Sequence, residues 1–127
     1  MQTSITLGKF VKEFELENLT PHIEFESIPL TQKYVNRPAL QLTGFFDHFD
    51  NTRIQIIGRI EHTYMRRQTS ETRYNILDKL FSFHIPCIVF CRALEPFPEI
   101  KELSEKYGVL VFRTPDGASE LYSEATK

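Results

Sequence analysis

The sequence of 127 residues is long enough for one domain and too short for two. Its 41% hydrophobic, 25% charged and 13% aromatic residues exclude a disordered, a collagen-like and a membrane-spanning chain. The formal net charge of −2 gives no electrostatic reason to expect a nucleic acid or an acidic membrane as partner.

The N-terminal residues and the longest apolar run indicate the compartment. Residues 1–6 have neither the basic nor the apolar region of a signal peptide, and the longest apolar run, residues 85–91, is too short to span a bilayer. We therefore expect a cytoplasmic protein. Cys87 and Cys91 lie within that run, which predicts buried reduced thiols; a redox pair or a metal site is the alternative.

The first third of the chain predicts a short helix followed by a strand. Thr6 precedes apolar residues at helical spacing and is the expected N-cap. Residues 23–26 alternate apolar and acidic side chains, which predicts a half-buried strand closed by Pro29. Residues 36–44 predict a turn of ambiguous secondary structure, and the polar residues 47–52 predict a connection.

The rest of the chain predicts strands alternating with helices. Residues 54–57 form an apolar strand ending at Gly58, which places Arg59, Glu61 and His62 at its carboxyl end, where ligands usually bind in open α/β sheets. Ser70 is the expected cap of the next helix. Strands are predicted at 85–90 and 109–112 around a helix ending at Gly108, and a turn at 114–117 precedes the start of a helix at Ala118. This order predicts an α/β domain with parallel strands.

A search for catalytic motifs gives no complete site. The glycines at positions 8, 44, 58, 108 and 117 are isolated, so both the phosphate-binding loop and the dinucleotide fingerprint fail. Asp47, His48 and Asp50 are expected to be solvated loop residues rather than metal ligands. Neighbouring side chains diverge, so Glu61 and His62 are not expected to form an acid–base pair. His22 and His84 are expected to be structural. The chain alone is therefore predicted to be inactive, with no cofactor or metal of its own.

Several segments resemble one known family. Residues 36–49, NRPALQLTGFFDHF, and 53–61, RIQIIGRIE, resemble the N-R-P-G-L-x-L-x-G-[FY]-x-x-[FY] and R-[IV]-Q-[IV]-[LI]-G-x-x-E runs of the N-terminal domain of bacterial HPr kinase/phosphorylase. Residues 85–89, 94–99 and 113–114 resemble later segments of that domain, so the resemblance runs from about Thr6 to Leu121. Ala39 replaces a usual glycine, which implies that this position does not need a positive φ, and Ala118-Ser119 replaces a Thr-Ser or Thr-Thr pair.

The resemblance implies a single non-catalytic domain over residues 1–127, with a mixed or mostly parallel sheet flanked by helices, similar to the N-terminal domain of Mur ligases. Residues 123–127 would be a linker to a C-terminal P-loop domain. In the family, that domain uses ATP or pyrophosphate and Mg²⁺ to phosphorylate a serine of HPr, the phosphocarrier of the sugar phosphotransferase system. It also removes the phosphate, which controls carbon catabolite repression.

The implied partners are the C-terminal catalytic domain, the other subunits of a hexamer and HPr as substrate of the whole enzyme. A stand-alone interaction or small-ligand-binding module is the alternative. Candidate residues for an anion or effector are Asn36, Arg37, Arg53, Arg59 and Glu61. The same groups would otherwise form an internal salt-bridge network. Candidate interface residues are Phe45, Phe46 and Phe49, which would otherwise belong to the core.

Overall fold

The parallel strands predicted from the apolar runs form the centre of the fold. A computed structural model describes residues 5–30 and 35–125. One sheet contains, in spatial order, β2 (Glu17–Asn18), β7 (Leu110–Arg113), β6 (Cys87–Phe90), β5 (Ile54–Ile57) and β4 (Val35–Asn36). Strands β4 to β7 are parallel, and β2 is antiparallel to β7. A separate antiparallel pair joins β1 (Ile5–Thr6) to β3 (Pro29–Leu30). The predicted α/β class with a mostly parallel sheet is confirmed.

Helices cover both faces of this sheet. They are α1 (Leu7–Glu13), α2 (Ala39–Leu42), α3 (Arg59–Arg66), α4 (Ser70–Ser82), α5 (Glu99–Tyr107) and α6 (Ala118–Ala125). One buried cluster joins α1 and α6 to alternate strand residues such as Ile56 and Val89. The other joins α2 to α5 to the intervening residues, such as Ile57 and Ile88. Because successive strand side chains point to opposite faces, strands buried on both sides carry apolar residues at most positions, and Gln55 is the buried polar exception in β5.

The N-terminal helix is present as predicted, but the strand predicted after it is not. Thr6 accepts a hydrogen bond from the Lys9 amide at 3.2 Å and caps α1. Residues 23–26 are irregular, and Pro29 begins β3 rather than closing a strand. Ile23 and Phe25 still pack against the core, with the Phe25 ring edge-on to Phe112 at 5.3 Å. The alternation of apolar and acidic residues therefore reflects which side chains are buried, but the prediction of a strand here is wrong because the backbone pairs with no other strand among the described residues.

The predicted elements of the second half differ from the structure mainly at their ends. Thr69, not Ser70, caps α4, since its hydroxyl accepts from the Thr72 amide at 3.1 Å. Gly108, at φ +70°, ends α5 in the left-handed conformation that favours glycine. Ala39 begins α2 and is not among the residues with positive φ. Helix α6 continues to Ala125, so the predicted linker begins within a helix, and residues 126–127 lie outside the described part.

Both cysteines are free thiols buried in or beside β6. Burial raises the pKa of Cys91 to about 12 and also raises that of Cys87. The expected buried, reduced thiols are therefore present. None of the described helices has the length and apolar character that crossing a membrane requires.

Candidate functional site

The parallel strands bring four loops together at one edge of the sheet. The residues that follow β4, β5, β6 and β7 lie at the carboxyl ends of neighbouring strands. Backbone hydrogen bonds tie the last two loops together: the Arg92 amide donates to Asp116 O and the Ala93 amide to Thr114 O, each at 2.8 Å. This edge is where an open α/β sheet usually binds ligands.

Arg37 and Glu61 form a bidentate ion pair at this edge. Arg37 Nε donates to Glu61 Oε2 and Arg37 Nη2 to Glu61 Oε1, each at 3.0 Å. The Glu61 side chain is only 3% exposed, and it also accepts from the Gly58 amide at 2.9 Å. The hydrogen bonds to Glu61 raise the pKa of Arg37. Arg37 and Glu61 therefore form an internal salt bridge, which was the alternative to an anion-binding role for these residues. The pair joins the turn at Pro38 to the end of β5.

Gly58 permits this close packing because it has no side chain. A Cβ at this position would lie 2.7 Å from Arg37 Nη2 and 2.9 Å from the Cβ of Ala118. Both distances are too short for ordinary carbon contacts. The end of β5, the Arg37 guanidinium and the start of α6 therefore meet at Gly58.

Asn36 belongs to a polar link between strands. Its Nδ2 donates to Gln55 Oε1 at 2.7 Å and to Gln41 Oε1 at 3.3 Å. Gln55 is fully buried, and its Nε2 donates to Arg53 O at 2.8 Å. This arrangement satisfies an amide in the middle of an apolar sheet and joins β4 and α2 to β5.

The structure does not bring Arg53 to the other candidate residues. Arg53 precedes β5, whereas Gly58 and Glu61 follow it, so Arg53 lies at the opposite edge of the sheet. There its Nε donates to Asp50 Oδ2 at 3.2 Å. Hydrogen bonds from Thr52, and secondarily from Arg53, lower the pKa of Asp50. The five predicted anion-binding residues are therefore not one cluster.

Arg59 lies beside Arg37, together with an arginine that the sequence analysis missed. A cavity of about 180 Å³, here called the arginine cleft, is lined by Arg37, Arg59, Ile60, Arg92, Ala118 and Ser119. Arg92 comes two residues after the end of β6, just as Arg59 comes two residues after the end of β5. That common position at the carboxyl ends of parallel strands is the signal that could have identified Arg92.

His62 does not act together with Glu61. Its Nε2 lies 2.8 Å from Glu95 O, and its ring stacks on Phe97 with centroids 4.7 Å apart. His62 therefore packs toward α5 while Glu61 faces Arg37. Within residues 5–30 and 35–125, no group of three or more histidine, cysteine and acidic side chains is placed to hold a metal ion.

The three candidate interface phenylalanines have different environments. Phe46 and Phe49 are half-buried and each packs on Phe83 with ring centroids 5.1 Å apart. Phe45 is 49% exposed. It lies beside α2, since its amide donates to Leu40 O at 3.2 Å. Phe46 and Phe49 therefore pack against the core, which was the alternative to an interface role, whereas Phe45 is at the surface.

Exposed apolar residues concentrate on two helices that contact each other. Of the five large hydrophobic residues found exposed in the described ranges, four lie on or just after α2 and on α3. These four, here called the α2–α3 apolar surface, are Leu40, Phe45, Ile60 and Tyr64. Apolar residues grouped in this way commonly mark an interaction site.

Comparison with known proteins identifies the family. The family model described as HPr Serine kinase N terminus matches residues 5–127. An HPr kinase/phosphorylase of Lachnoclostridium phytofermentans is 48% identical over 124 residues, which are 98% of this chain and 40% of the relative. One of Caldicellulosiruptor bescii is 43% identical over 111 residues, covering 87% and 36%. One of Alkaliphilus metalliredigens is 37% identical over 121 residues, covering 95% and 39%.

The match is nearly complete for this chain and partial for its relatives. The chain spans about 40% of the length of the curated relatives that it matches. The segments 36–49 and 53–61, which carry the resemblance in the sequence, provide Arg37, Gly58 and Glu61 at the carboxyl edge of the sheet. The chain belongs to the family of HPr serine kinase N-terminal domains.

Proposed function

We propose that this chain is the non-catalytic regulatory and assembly domain of an HPr kinase/phosphorylase. The observation that carries the proposal is the family match, which takes in residues 5–127 but corresponds to only about 40% of each relative. The whole enzyme would phosphorylate and dephosphorylate a serine of HPr in the cytoplasm and so act in carbon catabolite repression. Its ATP or pyrophosphate and its Mg²⁺ would bind in the part of the enzyme outside this chain.

The chemistry of the described residues supports a non-catalytic role. The sequence has no glycine-rich phosphate-binding loop, since its five glycines are far apart. The two thiols are buried, and burial keeps them protonated. The Glu61 carboxylate accepts hydrogen bonds from Arg37 and from the Gly58 amide, so both of its oxygens are engaged and neither is placed to exchange a proton with a substrate. The residues at the carboxyl edge therefore suit binding and packing better than catalysis.

The α2–α3 apolar surface supports the assembly part of the proposal. Leu40 is 61% exposed and Ile60 is 72% exposed, although both are large and apolar. The relatives contain additional chain that is absent from this one, and we assign the catalytic part of the same enzyme as the partner that covers this surface. Among the candidate interface residues, Phe45 is the one whose ring is available for this contact, because Phe46 and Phe49 pack on Phe83.

The experiment compares three proteins in HPr phosphorylation with ATP and Mg²⁺. They are this chain alone, the full-length Lachnoclostridium phytofermentans relative, and that relative without the 124 residues that align here. We expect no phosphorylation by the chain, and we expect the shortened relative to keep phosphoryl transfer but lose normal assembly or regulation. Phosphorylation of HPr by this chain alone would overturn the proposal, as would unchanged assembly and regulation of the shortened relative.

A stand-alone interaction or small-ligand-binding module is the second candidate, and the arginine cleft favours it because such a cleft needs no catalytic domain to bind an anion. Reading the codons that follow Lys127 in the gene separates the two candidates. An open frame that continues into G-x-x-x-x-G-K-[ST] supports the first. A stop codon supports the second.

A further inference from the structure

Two of the three arginines that line the arginine cleft have no acidic partner within the described residues. Arg37 is engaged by Glu61 through two hydrogen bonds. No hydrogen bond or ion pair within the described residues involves the guanidinium group of Arg59 or of Arg92. Three arginines therefore line a cavity of about 180 Å³, and only Arg37 is paired with a carboxylate.

The nearby acidic side chains are not among the residues that line this cavity. Asp116 and Glu120 line a different cavity, together with Phe14 and Leu121. A Cβ on Gly117 would lie 3.3 Å from both Arg92 Nη2 and Glu120 Oε1, so the Glu120 carboxylate is near Arg92, although the two do not form an ion pair. The arginine cleft and that second cavity share only Ser119. Since Glu61 is already neutralised by Arg37, an anion in the arginine cleft would meet two guanidinium groups without a competing carboxylate on its walls.

The backbone holds Arg92 at the cleft in an unusual conformation. Arg92 and the following Ala93 have φ values of 54° and 53°, in the left-handed region that residues with side chains rarely adopt. Their amides donate to Asp116 O and Thr114 O, which fixes this conformation against the loop after β7. Such conformations persist only where the surrounding structure enforces them, and they are frequent at ligand-binding sites.

The first turn of α6 adds backbone donors beside the arginines. Ala118 and Ser119 line the cleft, and amides in the first turn of a helix have no partner within the helix. The positive end of the helix dipole favours an anion at the same place. The guanidinium groups and these amides therefore favour the same kind of ligand.

We propose that the arginine cleft binds a phosphoryl group, either as inorganic phosphate or as the phosphate of a small organic monoester. Guanidinium groups match the geometry of phosphate oxygens, and the cavity is smaller than the roughly 300 to 1,000 Å³ of a site for a drug-sized ligand. Ile60 and Ala118 form an apolar part of the wall that the organic part of a monoester would contact. This inference goes beyond the proposed function, because the chain can bind a phosphoryl group whatever reaction the whole enzyme performs.

Calorimetric titration of the 127-residue chain tests the proposal directly. The probes are inorganic phosphate, glycerol 3-phosphate and malonate, each at an ionic strength matched with sodium chloride. The variants Arg59→Gln and Arg92→Gln remove a charge from the cleft but retain a polar side chain. Arg67→Gln is the matched control, because Arg67 is also an exposed arginine but does not line the cleft.

We expect both phosphates to bind, and malonate to bind more weakly. Each cleft variant should weaken phosphate binding about tenfold, the effect of losing one charge-assisted contact, and Arg67→Gln should bind like the original chain. Tighter binding of glycerol 3-phosphate indicates a monoester as the ligand, and equal binding indicates recognition of the phosphoryl group alone. Circular dichroism confirms that each variant is folded. The absence of phosphate binding beyond the sodium chloride control would overturn the proposal, as would equal losses in all three variants.

Discussion

Glu61 has both carboxylate oxygens occupied by internal donors in an almost fully buried position. Removing one donor from such a group leaves charge that neither water nor another side chain compensates. At the scale of single residues, this buried carboxylate makes Arg37 a structural residue first, even though it also lines the arginine cleft.

The Arg37→Ala variant tests this structural role. We expect its free energy of unfolding to fall by about 1 to 3 kcal/mol, because Glu61 loses two charge-assisted hydrogen bonds in a buried position. Urea unfolding of the chain measures the change. Combining Arg37→Ala with Glu61→Gln should cost less than the sum of the two single changes, since each removes the same pair. A loss below about 0.5 kcal/mol for Arg37→Ala would show that the pair does not stabilise the fold.

The contact of Gly58 with Arg37 and α6 leads to a second prediction. Gly58→Ala should lower the free energy of unfolding by about 1 to 3 kcal/mol, because the new Cβ overlaps Arg37 Nη2 and the Cβ of Ala118. Urea unfolding again measures the change.

Ala118→Gly supplies the control for Gly58→Ala, since it removes one of the two overlapping atoms. In the double variant, part of the stability lost through Gly58→Ala should return once the cost of Ala118→Gly alone is subtracted. If Gly58→Ala is as stable as the original chain, the loops at this edge pack less closely than described.

Among the secondary-structure elements, a second buried ion pair fastens α4 to α5. Arg73 donates from Nε to Glu99 Oε1 at 2.6 Å and from Nη2 to Glu99 Oε2 at 3.0 Å. The Ser70 hydroxyl donates to Glu99 Oε2 at 2.8 Å, and Arg73 Nη1 donates to Met65 O at 3.2 Å. The side chains of Arg73 and Glu99 are 13% and 7% exposed. One guanidinium group thus joins the end of α3 to both following helices.

Replacing Glu99 with Gln should lower the free energy of unfolding by about 3 to 5 kcal/mol at neutral pH, because the buried Arg73 loses its counter-charge. The hydrogen bond from Arg73 lowers the pKa of Glu99 below its ordinary value of 4.5. This part of the stability is therefore fully present above pH 4.5 and is lost as the pH falls through the lower pKa of the folded state. The difference between the original chain and Glu99→Gln should narrow in that acidic range.

Urea unfolding of both proteins from pH 7 down to pH 3 measures this difference. A matched control is Glu105→Gln, an exposed acidic residue of the same helix. A difference between the original chain and Glu99→Gln that stays constant with pH would contradict the prediction.

The elements that the sequence predicts best are those with the largest buried faces. Strands β5, β6 and β7 bury apolar side chains on both faces, and the apolar residues of the neighbouring helices recur at regular spacing, so local patterns identify these elements. Strands β2 and β3 have only two residues each and exist because of the strand that they pair with, which no local pattern reveals. The site follows the same rule. Arg59 and Arg92 both follow recognisable strands, but the conformation that holds Arg92 at the cleft depends on hydrogen bonds to the loop after β7, which no local pattern reveals.

For the whole molecule, the α2–α3 apolar surface leads to a prediction about assembly. The test protein is a chimera in which this chain replaces the aligned part of the Lachnoclostridium phytofermentans relative. Changing Leu40 and Phe45 together to Ser should leave the folded domain nearly as stable, because both side chains are exposed. It should weaken docking on the rest of the enzyme, since it removes apolar area from the contact.

Light scattering after size-exclusion chromatography and limited proteolysis of the chimera measure docking. The control is Ile28→Ser, because Ile28 is the fifth exposed large hydrophobic residue of the described ranges and belongs to neither α2 nor α3. We expect faster cleavage between the two parts, or a smaller assembly, only in the Leu40→Ser and Phe45→Ser double variant. Equal behaviour of that variant and the control would show that another surface makes the contact.

The order of the strands also has a consequence for how the chain folds. Strands β4, β5, β6 and β7 lie side by side in the order of their synthesis, so each can pair with the strand made just before it. Strand β2 is synthesised before them all, yet it pairs with β7, and Glu17 meets Arg113 across a separation of 96 residues. Because a long loop must close before that contact forms, β2 has to wait for the end of the chain. During synthesis on a ribosome, β2 would be the first strand of the sheet to be made and the last to pair.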